Sequence, residues 1–203
     1  MTVWHAPVTD AVQRLVLSVA AVALFAATGV DAQSPTAGEA ELAKAERLID
    51  AFYSFDAARL SKELADAPKS SVQILYYQGW AEGGNYVVLK REPCRLREAG
   101  QVTCHITVKD DLIGALRTGY DVTDAFHLTF RDGRIVRVQN TSNDPPQMKQ
   151  AFEWLRGESP DIFSGPCQAM FAGGKTPQAC VRAFVKGFTD FTNLAGQTTA
   201  NAK

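Results

Sequence analysis

Residues 120–144 constrain the fold more than any other segment, because they spell out an antiparallel hairpin. Tyr120, Val122, Phe126, Leu128 and Phe130 stand at alternate positions, Arg131-Asp132-Gly133-Arg134 supplies a tight turn, and residues 135–142 return with Val136 and Val138 in phase. Alternate residues of a half-buried strand face the core, and Asp-Gly is a preferred two-residue hairpin turn. Such a chain must build an antiparallel sheet with one covered face. Asp124 falls in phase with the apolar set, and Asn140 lies on the apolar face of the returning strand. An inward carboxyl is costly unless it is hydrogen-bonded or kept for a ligand. Asp124 and Asn140 are therefore the first candidate site residues, and a structural Asp124 would be satisfied by Asn140, Tyr120 or a backbone amide.

The flanking segments supply helices before the sheet and after it. Leu42, Ala45, Ile49 and Phe52 recur at helical spacing, Asp56 can cap a second helix through Leu60 and Leu64, and Ser70 or Ser71 can cap a third. That third helix is expected to bury Val72, Leu75, Tyr76 and Trp80 and to stop at Gly83-Gly84. Residues 85–96 read as one strand, and Val102, Cys104, Ile106 and Val108 as the apolar face of the next. Residues 110–119 read as an irregular crossing, with Asp110-Asp111 in a solvated turn. Pro145-Pro146 opens a helix carrying Met148, Phe152 and Leu155. Thr176-Pro177 opens a last one, with Val181, Phe184, Val185, Phe188 and Phe191 along one stripe and a frayed end after Leu194. Tyr76, Tyr77, Trp80 and Tyr86 read first as core. Tyr76, Trp80, Tyr120 and Phe52 join Asp124 and Asn140 as pocket candidates.

The chain's ends and cysteines bear on its compartment. Arg14 precedes the apolar run 15–30, and Val30-Asp31-Ala32 fits a small-x-small cleavage site, so residues 1–32 read as an export signal. The run is shorter than the roughly 20 residues of a spanning helix, so no stable membrane anchor is expected after cleavage. The mature chain would then begin with a polar, flexible leader over residues 33–40. It would carry 20 basic and 20 acidic side chains, a balance that excludes nucleic acid as a partner. Four cysteines in an oxidising compartment favour disulfides. Spacing favours Cys94 with Cys104 and Cys167 with Cys180. With no C-x-x-C pair, and only His105 and His127 in the mature chain, neither a metal nor a cofactor is expected. The expected location is exported, periplasmic or secreted.

Residues 47–52, Arg47-Leu48-Ile49-Asp50-Ala51-Phe52, run into Asp56-Ala57-Ala58. Asp121-Val122-Thr123-Asp124 leads to Phe130-Arg131-Asp132-Gly133-Arg134-Ile135-Val136. These pieces, in the order three helices then a bent antiparallel sheet, resemble the nuclear transport factor 2 superfamily, the cone fold that includes the ketosteroid isomerases. The resemblance spans about residues 41–157. It implies an α+β class, with a cone domain over residues 41–158, a disulfide-bearing helical extension over residues 159–203, and a pocket lined by the sheet's inner face and by the first and third helices. It also implies a homodimer through the sheet's outer face.

The resemblance brings several activities to be tested residue by residue. Asp124 falls where the isomerases keep a protonated, hydrogen-bond-donating aspartate. The tyrosine that donates beside it matches Leu48 here, and residues 68–72 lack the carboxylate of a general base. The epoxide hydrolase acid of the fourth strand would fall at Thr141, beside Asn140. His105 and His127 face away from the core, where a His-dependent dehydratase would need one inside. The expectation is a non-catalytic module holding a small apolar molecule in a pocket of roughly 300 Å3 or more. The alternative is an isomerase, dehydratase or hydrolase acting on a cyclic hydrophobic substrate through Asp124. Ala172-Gly173-Gly174-Lys175-Thr176 echoes a phosphate loop but lacks its first glycine and preceding strand, and reads as a turn and helix cap. Asn140-Thr141-Ser142 has the form of a glycosylation sequon inside a strand.

Overall fold

The computed structural model describes residues 36–98, 100–170 and 172–200. The expected signal peptide, and the leader residues before Thr36, lie outside them. The described residues form a mixed α+β fold in which seven helices pack on a five-stranded antiparallel sheet that does not close. Helix α1 (Ala37–Tyr53) starts earlier than its apolar pattern suggests. Thr36 accepts from the Glu39 N–H while Glu39 accepts from the Thr36 N–H, a reciprocal cap that satisfies two otherwise orphaned donors. Residues 37–40 are thus helical rather than part of a flexible leader.

Asp56 caps α2 (Ala57–Glu63) by accepting from the Ala58 and Arg59 amides. Helix α3 (Pro68–Gly83) begins at its proline rather than at a serine cap, because a missing N–H costs nothing in a first turn. Its buried face also differs from expectation. Ile74, Gln78, Trp80 and Ala81 are inside, whereas Val72 is 58% exposed. Ser70 is freed from capping and accepts from the Val138 N–H instead.

The strand expected over residues 85–96 splits in two, β1 (Val87–Arg91) and β2 (Arg95–Leu96). Pro93 has no N–H to give the ladder, and the Cys94 N–H turns away to Glu46 Oε1 at 2.6 Å. Both segments pair with β3 (Gln101–Lys109), and the sheet order is β1-β3-β4-β5, with β4 at Val122–Arg131 and β5 at Arg134–Ser142. Along β4 the alternation holds: Val122, Asp124, Phe126, Leu128 and Phe130 are all buried. A register shift between Thr129 and Phe130 carries Ile135 inward, so Ile135 and Val138 rather than Val136 and Val138 share the core. The expected irregular crossing contains a short helix, α4 (Asp111–Ala115). Asp110 caps it from a buried position, not from a solvated turn.

Helices α5 (Pro146–Glu158), α6 (Asp161–Ser164) and α7 (Gln178–Ala200) complete the chain, and α7 continues beyond Leu194, where fraying was expected. Val181, Phe184 and Phe188 of α7 are fully buried against Trp80, Phe152 and Phe163, so the C-terminal segment shares the main core. It docks on α3 at Gly79, where a Cβ would lie 2.2 Å from the Thr176 nitrogen. Thr176 Oγ1 donates to the Tyr76 carbonyl, and Lys175 pairs with Glu82 and donates to the Phe55 carbonyl. These contacts replace the phosphate-loop echo with a docking role. Both expected disulfides form, Cys94–Cys104 and Cys167–Cys180. Their presence fits a location outside the cytoplasm, and no described helix is long and apolar enough to cross a membrane.

Candidate functional site

Asp124 and Ser142 are register partners on the inner face of the β4–β5 hairpin, and Phe126 opposite Asn140 is the next inward pair. The sheet thereby places three polar side chains, Asp124, Ser142 and Asn140, where the apolar set would otherwise continue. A cavity of about 190 Å3 lies over them. Its floor is Asp124, Asn140 and Ser142, and Asp144 joins it from the segment after β5. Tyr76, Tyr77 and Trp80 of α3, Tyr86 before β1, and Met148 and Phe152 of α5 close the other sides. The volume is smaller than the expected 300 Å3. It still exceeds the engineered cavity of about 150 Å3 that holds benzene, so a compact molecule fits.

Asp124 is 5% exposed and accepts a hydrogen bond through Oδ2 from the Tyr53 hydroxyl at 2.8 Å. Burial pushes its pKa up to about 7, against the Tyr53 hydrogen bond, with Asp144 and Asp110 adding to the rise. Tyr53, held by burial and by the Asp124 charge, stays protonated far above the usual phenol range. Asp110 is raised to about 6, first by burial, then by Asp144 and Asp111, although the Ile113 and Leu112 amides oppose the shift. The Tyr86 phenol is pushed well up by burial and by Asp110, Asp124 and Asp144, with a hydrogen bond to Trp80 working the other way. Asp124 and Asp110 are thus both buried, while Asp144 is exposed at the cavity's edge.

Asn140 does not satisfy Asp124. Its buried Nδ2 has no hydrogen-bond partner, although the residue lines the cavity. Leaving a buried donor unpaired costs about 1–3 kcal/mol. The enclosure of Nδ2 also removes the sequon from consideration as a glycan acceptor. Gln78 is the other buried amide with an orphaned atom, its Oε1. Its Nε2 caps the end of α1 through the Ala51 and Phe52 carbonyls, away from the cavity.

The remaining pocket candidates divide. Tyr76 and Trp80 line the cavity as expected, as do Tyr77 and Tyr86, which were read as core. Phe52 does not. It is 2% exposed and packs edge-on against Phe126 at 4.9 Å. Tyr120 lies before β4, is 40% exposed and donates to the Asn143 carbonyl, because its segment has already left the sheet. The first helix contributes Tyr53 behind Asp124 rather than a cavity wall, and α5 takes its place. Leu48, the position matched to the isomerase tyrosine, is fully buried.

Sequence reasoning missed Tyr53, Asp144, Met148 and Phe152 as site residues. Tyr53 lies beside Phe52 but off the apolar stripe of α1, and its only signal is a phenol at a helix end. Asp144, directly before the Pro145-Pro146 pair, was legible as a charge at a strand–helix junction. His105 and His127 lie on the sheet's outer face, as their phase requires, and His127 is within 3.4 Å of both Thr103 and Thr141 hydroxyls. Among the described residues no cluster of His, Cys, Asp and Glu could hold a metal ion. Compared with protein-family models, curated proteins and solved structures, the chain matches none. The geometry of the Asp124 cavity therefore carries the functional reading.

Proposed function

We propose that this chain is an exported member of the nuclear transport factor 2 superfamily that holds a small, mostly apolar molecule in the Asp124 cavity. In this reading residues 1–32 are the signal, residues 41–158 the cone domain and residues 159–203 its extension. The single observation that carries the proposal is the buried carboxyl of Asp124, with Asn140 beside it, in the lining of an aromatic-walled cavity. A polar pair left open among rings that could have closed over it is the pattern of a ligand site. The two disulfides support export.

A second reading, an isomerase, dehydratase or hydrolase acting on a cyclic hydrophobic substrate, draws on different observations. Asp124 titrates near neutrality and has a phenol, Tyr53, bonded to it, and a group poised near the working pH suits proton transfer. Native mass spectrometry of protein purified from an oxidising compartment separates these readings. The binding proposal expects a stoichiometric small molecule that is lost in Asp124→Ala and is returned unchanged after incubation with fresh protein. Chemical conversion of that molecule favours the enzyme. An empty protein that takes up nothing from an extract removes both.

The outer sheet face supports a homodimer in this proposal. His105 faces Ala125, Thr107 faces Thr123, and His127 faces Thr103 and Gln139 across the ladders. Charges flank this central stretch, with Arg95 opposite Thr103, Lys90 opposite Thr107 and Arg137 opposite Thr129, and a charge-poor centre inside a polar rim is the anatomy of an interface. Light scattering is expected to give a dimer that Ala125→Arg converts to monomer; a monomeric parent would refute it.

A further inference from the structure

The Asp124 cavity is one-sided in its chemistry. Five rings, Tyr76, Tyr77, Trp80, Tyr86 and Phe152, face two carboxyls, Asp124 and Asp144, and no Lys, Arg or His lines it. A third carboxyl, Asp110, lies outside the lining and adds to the rise at Asp124. Among the described residues none of the three has a salt-bridge partner. Asp124 accepts from the Tyr53 hydroxyl, Asp144 from the Ser142 hydroxyl and Asp110 from the Ile113 amide. Two cations of α5, Lys149 and Arg156, line an adjoining surface groove with Asp144. Lys149 pairs with Glu153, and Arg156 lies over the Phe163 ring. Asp124 is buried and Asp144 stands at the exposed edge of the same cavity, so a positive charge on a ligand would meet both carboxyls.

Aromatic faces supply the second half of the argument. A ring's negative face attracts an organic cation, and cages of several rings are the recurring way proteins bind alkylated ammonium groups. Here the rings and the carboxyls bound the same 190 Å3.

We propose that the cavity binds a small organic ammonium, with the charge among the rings against Asp124 and Asp144. This inference rests on the pocket reading above and names the chemical class of its ligand. The two carboxyls disfavour an anionic ligand, and a neutral one gains no charge interaction from them.

The test is calorimetric titration of the full mature protein, at about pH 8 so that Asp124 is ionised, with choline, tetramethylammonium and benzyltrimethylammonium. Dimethylbutanol, the neutral carbon isostere of choline, is the matched control. The inference expects choline to bind at least roughly tenfold more tightly than the isostere, one charge interaction's worth of affinity. Asp124→Asn should remove most of that preference, read as the ratio of choline to isostere affinity in the same variant. Asp144→Asn, at an exposed position that cannot compromise folding, should reduce it about threefold as a surface-charge effect. Equal or tighter binding of the isostere overturns the cation inference and leaves the pocket reading intact. A protein that binds no cation and no isostere overturns both.

Discussion

Trp80 and Phe152 each border two regions, and the two are packed in opposite ways. Towards α7 they meet Phe184, at 5.6 Å from Trp80 and 5.0 Å from Phe152, and Phe152 also meets Phe188 at 4.9 Å. That side is dry and filled. Towards the sheet the same two residues border an open cavity whose floor is Asp124, Asn140 and Ser142. The chain has the aromatic side chains needed to close both sides and closes only one. Where helix meets helix it is built for stability. Where helix meets sheet it accepts a void, an orphaned amide and a carboxyl held near neutrality, and such local costs gather at functional sites.

The largest effect should come from emptying the filled side. Phe184→Ala is expected to lower unfolding free energy by about 3–5 kcal/mol through lost transfer energy and residual cavity, read by urea denaturation. A loss below about 1 kcal/mol would mean that α7 does not share the core.

The cavity side should instead respond to pH. Asp124 has its folded pKa raised to about 7 from the ordinary 3.8, so between those values the folded state binds more protons than the unfolded one. Stability is then greatest at the acid end of this window and declines as pH rises through about 7, by up to about 4 kcal/mol. Asp110, raised to about 6, acts in the same direction over the lower part of the window. Denaturation series from about pH 4 to pH 8 should therefore slope downward in the parent and markedly less in Asp124→Asn.

Removing the staple of the filled side, Cys167→Ser with Cys180→Ser, is expected to cost about 3 kcal/mol for a loop of this length. It should leave the midpoint of Asp124 unmoved, and a shift there would tie the two regions together. The smallest effect, and the one of opposite sign, is expected from Asn140→Leu. Replacing an orphaned buried amide by an apolar group of similar shape should stabilise the protein by about 1 kcal/mol. Destabilisation of core size would mean that Asn140 is structural and the comparison is misdrawn.

The filled side was largely readable in the chain because its rules are local and periodic. The stripe Val181, Phe184, Phe188 and the alternation Val122, Phe126, Leu128 each state their buried face directly. Asp124 and Asn140 were readable as violations of that same alternation. What could not be read was which elements converge on them. Tyr53 reaches Asp124 across 71 residues of chain, and α5 rather than α1 forms the wall. Neither periodicity nor capping encodes such a meeting. The start of α3 was misplaced because Pro68 and two serines both suit a first turn, and the split between β1 and β2 turns on one missing N–H at Pro93.

The most direct test of the contrast is a carboxyl-carbon NMR titration of Asp124 in the ligand-free protein. The cavity described here predicts a midpoint of about 7. A midpoint near the ordinary 3.8 would mean that Asp124 is solvated or fully paired, and that nothing beneath the sheet is held open for a ligand.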